Sequence, residues 1–106
     1  MGMLTLPIKK KWFDMILSGE KKEEYRAMKP YYHSRFENIG LLNSVLEPTN
    51  EIRVVKFRNG YSRKSPSFYA WVKIRMGEGK PEWGAEPGKD YWILELLNIA
   101  TDIRDI

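Results

Sequence analysis

The chain has 106 residues, 42% of them hydrophobic and 30% charged, with a net charge of +4, a single histidine and no cysteine. That length holds one hydrophobic core, hence one domain over residues 1–106, and the balance of apolar and charged residues belongs to a folded globule and not to a disordered chain. The missing cysteines exclude disulfides, a thiolate nucleophile and cysteine zinc ligands, and with His33 alone a multi-histidine metal site is excluded too, so neither metal nor cofactor is expected.

The chain opens Met1-Gly-Met-Leu-Thr-Leu-Pro before Lys9-Lys10-Lys11, the reverse of a signal peptide, whose charge precedes its apolar region. Leu6 stands where a myristoylated Gly2 would require Ser or Thr. No apolar run approaches the roughly 20 residues of a membrane helix, since the longest, Tyr91 to Leu97, is interrupted by Glu95. A cytoplasmic protein without a membrane partner is expected.

Leu4 to Ile8 is a short strand that Pro7 confines to an edge or a strand end. Lys10 to Ser18 predicts a helix whose apolar stripe is Trp12, Phe13, Ile16 and Leu17, with Gly19 as its C-terminal cap. The three lysines at its start hint at an external anion, because positive charge is mildly unfavourable at a helix N-terminus. Lys22 to Met28 follows as a strand ended by Pro30, and Tyr31 to Ile39 as a second short helix capped by Gly40. Pro48-Thr-Asn marks a loop. Ile52 to Phe57 is a strand whose alternation slips at Val54 and Val55, as at a bulge. Asn59-Gly60 is a turn, and Tyr61 to Pro66 a basic loop. Phe68 to Met76 alternates cleanly, with Phe68, Ala70, Val72, Ile74 and Met76 on one face. Gly77 to Gly88 is a Gly/Pro-rich loop carrying Trp83, and Tyr91 to Ile99 is the last long strand. The pattern is mixed α+β and mainly β: a small, mostly antiparallel barrel with two helices near the N-terminus covering an opening.

Charge is uneven along the chain. Residues 1–30 carry +3, residues 31–80 carry +5 and residues 81–106 carry −4. A basic body of this kind suits a polyanion such as nucleic acid or a nucleotide, or simply solvates the outer faces of strands.

The most informative stretch is Gly19-Glu-Lys21-Lys-Glu-Glu24-Tyr-Arg26. Gly19 ends the helix, Lys21 lies in the connecting turn, and Glu24 and Arg26, two apart on a strand, project from one face. Arg26 offers a planar fork for phosphate or carboxylate and Lys21 a compact charge. Glu24 would accept from a base edge or exchange a proton. The plainer alternative is a solvated Glu24–Arg26 pair.

These positions fit the pattern GxKxxExR, and with Leu6-Pro7-Ile8, Trp12-Phe13, Ile16-Leu17-Ser18 and Lys29-Pro30-Tyr31-Tyr32 the stretch 4–32 resembles the ASCH-domain family. The resemblance implies a PUA-like β-barrel and a cleft between barrel and helices that binds RNA or a nucleotide-like ligand, with Lys21, Glu24 and Arg26 lining it and Gly19 structural. One branch of that family removes acetyl from N4-acetylcytidine with a lysine at the Lys21 position, a threonine nucleophile at the Glu24 position and a separate glutamate. Here Glu24 replaces that threonine, and a carboxylate does not supply the same alkoxide attack. Another branch is described as cleaving RNA. The alternative to a binding module is therefore a small metal-independent hydrolase, an amidohydrolase or ribonuclease, with Lys21 as activating base and Glu24 or Glu95 as proton acceptor.

Glu95 interrupts the face of Tyr91, Ile93, Leu97 and Ile99. On an internal face it would be paired by Lys21 or Arg26 and act as the second acid of the cleft; on an outer face it would be solvated. Trp83 would stack on a base or plug the barrel mouth. Arg58, Arg63 and Lys64 around the Asn59-Gly60 turn suit phosphate contacts, or a solvated loop. Tyr25 is expected in the core and His33 at the surface or at a helix end.

Overall fold

The computed structural model describes residues 3–106; Met1 and Gly2, and with them the Gly2 acylation motif, lie outside the described residues. Five strands and two α-helices run in the order β1 (Thr5–Ile8), α1 (Lys10–Leu17), β2 (Glu23–Arg26), α2 (Pro30–Asn38), β3 (Arg53–Asn59), β4 (Ser67–Glu78) and β5 (Asp90–Ala100), with 3-10 turns at Pro81–Trp83 and Ile103–Asp105. The mixed, mainly β class and the two early helices agree with the sequence pattern. No helix among the described residues is long and apolar enough to cross a membrane.

The strands form one sheet in the order β1-β3-β4-β5-β2. β1 pairs parallel to β3, and every other pair is antiparallel. The sheet is therefore mostly antiparallel, as the sequence pattern predicts, but open in its hydrogen bonding, with β1 and β2 as edges, and not a closed barrel. β1 is an edge strand, as Pro7 requires.

One face of the sheet carries the main core. Leu6, Ile8, Val55, Phe57, Phe68, Ala70, Val72, Ile74, Trp92, Leu94 and Leu96 meet Phe13 and Ile16 of α1, Phe36 of α2, and Leu41 and Leu42 beyond it. Each fully buried large side chain here contributes roughly 1.5–3 kcal/mol, so the apolar stripe of α1 suffices to fix that helix on the sheet. α1 stops at Ser18, and Gly19 turns the chain at φ +86°, a left-handed conformation that glycine adopts without strain. α2 begins at Pro30, whose fixed φ suits the first helical turn.

Two sequence expectations are corrected here. β3 pairs with β4 without interruption, so there is no bulge at Val54 and Val55; those neighbours differ simply because one faces out and one faces in. The register shift lies between β4 and β5, where Trp71 pairs with Asn98 but Val72 pairs with Leu96, leaving Leu97 as the extra residue. Met76, on the apolar face by alternation, is 56% exposed near the end of β4.

The outer face is covered only in part. Ala85 of the loop after β4 packs with Tyr91 and Ile93 of β5 and with Tyr25 of β2 to form a second, small cluster. Gly79 lets this loop pass close to the sheet: a Cβ there would lie 2.6 Å from the Tyr25 ring.

Candidate functional site

Because Glu24 and Arg26 pair across from Leu94 and Trp92, they point to the core face of the sheet at its open edge. Both are buried, at 6% and 9% exposed, and Lys21, held by the turn after Gly19, is wholly buried. The three form one chain of charge. Lys21 Nζ lies 3.2 Å from Glu24 Oε1, and Arg26 Nη2 donates to Glu24 Oε2 at 2.6 Å. Lys21 also donates to the Trp83 carbonyl at 2.7 Å and sits over the rings of Trp12 and Tyr25, at 5.1 and 4.8 Å. Arg26 Nη2 reaches across to β1, donating to the Pro7 carbonyl at 2.8 Å. Its Nη1 makes a long 3.5 Å contact with the Tyr32 hydroxyl, and its buried Nε has no partner.

Two buried cations thus share one carboxylate. Burial holds the Lys21 ammonium below its ordinary value of 10.5, and the Arg26 charge pushes the same way while Glu24 opposes both. Tyr25 moves upward instead, chiefly because burial disfavours the phenolate. Its hydroxyl donates to Glu23 Oε1 and accepts from the Lys80 amide, so it ties the loop carrying Trp83 to β2.

Above this triad lies a cleft of about 500 Å³, within the range of small-ligand sites. Five aromatic side chains line it, Trp12, Tyr25, Tyr32, Tyr61 and Trp83, together with Glu24, Arg26, Lys9 and the Asn59-Gly60 turn. The parallel pairing of β1 and β3 sets Ile8 beside Asn59, and so brings Lys9 and the turn after β3 to the same rim. Flat aromatic walls, a guanidinium among the lining groups and a rim lysine suit a ligand with a planar ring and an anionic group.

The residues singled out from sequence are thereby sorted. Lys21, Glu24 and Arg26 converge, although Lys21 lies beneath the cleft and does not line it. Trp83 lines the cleft and at the same time caps Lys21 through its carbonyl. Glu95 is not part of the site. It pairs across from Glu23 and Lys73 on the outer face, and its nearest ion partner is Arg75, at 4.0 Å. Arg58, half-buried, and Arg63 and Lys64, both exposed, do not line the cleft. Of the N-terminal lysines Lys9 lines it, while Lys10 pairs with Asp14 at 2.6 Å. His33 sits edge-on against Trp92 at 5.7 Å, away from the cleft lining. Tyr32 and Tyr61 were not singled out from sequence; the signal for Tyr61 was its place directly after the Asn59-Gly60 turn. Among the described residues no group of three histidine or acidic side chains is placed to hold a metal ion.

Searches of family models, curated proteins and solved structures found no match to this chain.

Proposed function

We propose that the cleft binds a nucleotide or a nucleotide-like unit of RNA, in a cytoplasmic protein of ASCH type. The observation that carries this reading is the pairing of aromatic walls with Arg26, which lines the hollow and is held there by Glu24 and the Pro7 carbonyl. In this reading Arg26 and Lys9 hold phosphate, Trp12 or Trp83 stacks on the base, and Glu24 fixes Arg26 and accepts from a base amino group. Lys21 acts from below, holding Glu24 in place. Titration of mononucleotides and of short RNAs, followed by tryptophan fluorescence, tests it. A charge-assisted hydrogen bond contributes about 1.5–3 kcal/mol, so Arg26→Lys, which keeps the charge but loses the fork, is expected to weaken binding roughly tenfold or more. Equal affinity in Arg26→Lys, or no nucleotide bound at all, refutes it.

The second reading is a metal-independent hydrolase of a modified nucleoside or of RNA. The lowered pKa of Lys21 favours it, since a lysine base needs a depressed value. Against it, the Lys21 ammonium is already engaged by Glu24 and the Trp83 carbonyl beneath the cleft. Incubation with N4-acetylcytidine and with RNA, read for products that disappear in Lys21→Met, tests this alternative.

A further inference from the structure

Neither hydrophobic cluster extends over the half of the outer sheet face formed by β3 and β4. The loop after β4 reaches this face only over β2 and β5, through Ala85, and Val54, Tyr69 and Trp71 belong to neither hydrophobic cluster. All three are half-buried, as side chains standing on an uncovered sheet are. Alternation along β4 puts Tyr69 and Trp71 side by side, about 7 Å apart, with Lys73 next in line. Register places Lys56 directly across from Tyr69, its ammonium 5.5 Å over the ring, and Arg58 one step further along β3. On the other flank the β5 partners of the two rings are Asn98 and Ala100, too short to shield them, and the partner of Lys73 is Glu95. Among the described residues, Lys56, Arg58 and Lys73 have no carboxylate within salt-bridge distance.

We propose that this aromatic and basic stripe is a binding surface for single-stranded nucleic acid, separate from the cleft. The occupant is chosen by charge and shape together. Lys56 and Arg58, with Lys73 at the end of the stripe facing Glu95, surround two adjacent flat rings and match a chain that alternates phosphates with stackable bases, and a sheet presenting two aromatic rings stacks two or three bases. An apolar protein partner would leave Lys56 and Arg58 desolvated and unpaired. The surface is independent of the cleft, so either can fail without the other.

The test is fluorescence anisotropy of the full chain with a labelled ten-residue oligo(U) and oligo(dT), across a salt series. Three phosphate contacts give a slope of log affinity against log salt of about −2, and Lys56→Ala is expected to reduce its magnitude by about 0.7. Trp71→Ala is expected to weaken binding by roughly 5- to 150-fold, the range for losing one stacked base. The slope is read in a variant that still binds, so its change reports the contact and not a loss of fold. No binding by the wild-type chain, or an unchanged affinity in Trp71→Ala with an unchanged slope in Lys56→Ala, overturns the proposal. A mononucleotide that binds the cleft while both oligonucleotides fail would overturn this surface and leave the cleft reading standing.

Discussion

Glu24→Gln is the sharpest perturbation of the buried triad, because it keeps the shape and removes only the charge. Glu24 Oε1 faces Lys21 at 3.2 Å and Oε2 faces Arg26 at 2.6 Å, so the variant leaves two cations in a buried site without their anion. Removing one partner of a buried ion pair costs about 3–5 kcal/mol, and the amide oxygen, which still accepts from one cation, puts this case towards the lower figure. For a domain of this size each kcal/mol moves the melting temperature by about 4 °C, so a fall of roughly 12–20 °C at pH 7 is expected. The loss should also depend on pH. Glu24 is what opposes the downward push on Lys21, so in the variant Lys21 releases its proton at still lower pH and the repulsion with Arg26 is relieved. Thermal melts followed by circular dichroism at pH 7 and pH 9.5 would show the gap between wild type and variant narrowing at the higher pH. A drop worth less than about 1 kcal/mol at pH 7, far below the cost of breaking a buried pair, or a gap that does not change with pH, refutes the account of a buried, mutually dependent triad.

In the wild type, the Lys21 proton is bound more weakly in the folded state than in the unfolded one, so stability should rise with pH between its folded pKa and 10.5. Tyr25 works the other way: the unfolded phenol ionises from about pH 10.0 while the folded one resists, so stability should fall above that point, giving a maximum near pH 10 in urea midpoints. Gly79→Ala would force a Cβ to 2.6 Å from the Tyr25 ring and 2.8 Å from Ala85 Cβ, costing about 1–3 kcal/mol in chemical denaturation; a smaller loss would mean the loop is not seated on Tyr25. Glu95→Gln removes only a long, partly exposed contact with Arg75 and is expected to change stability by less than about 0.5 kcal/mol; a loss above 2 kcal/mol would contradict its place on the outer face.

How far the sequence could be read follows from which contacts are local. Glu24 and Arg26 share a face because strand alternation is a two-residue rule, and Lys21 joins them because Gly19 turns the chain directly before it. Which face Glu95 takes is open in the sequence for a definite reason. The face of Tyr91 and Ile93 is apolar like a core face, but what packs on it, beside Tyr25 of β2, is Ala85 of the loop after β4 and not the helices, so apolar composition there does not mean the main interior. The extra residue Leu97 then shifts the alternation of β5 just beyond Glu95, which no local pattern reveals. Pro7, Asn59 and Tyr61 reach the cleft through the parallel pairing of β1 with β3, segments some fifty residues apart. Non-local pairing of that kind, and whether a curved sheet closes, leaves no periodic trace in the chain.

Arg26 lies on one border strand and grips a main-chain oxygen of the other, Pro7, across the mouth of the hollow. Border strands with idle amides and carbonyls recruit foreign strands, and proteins blunt them with proline or charge. Here a proline and a charged side chain from opposite borders meet in one contact. A guest that draws Arg26 away would therefore free that oxygen while itself occupying the gap, so the occupied protein should resist self-association as well as the empty one does, whereas truncating Arg26 would leave the β2 border without its charge and Pro7 as the remaining guard of the other.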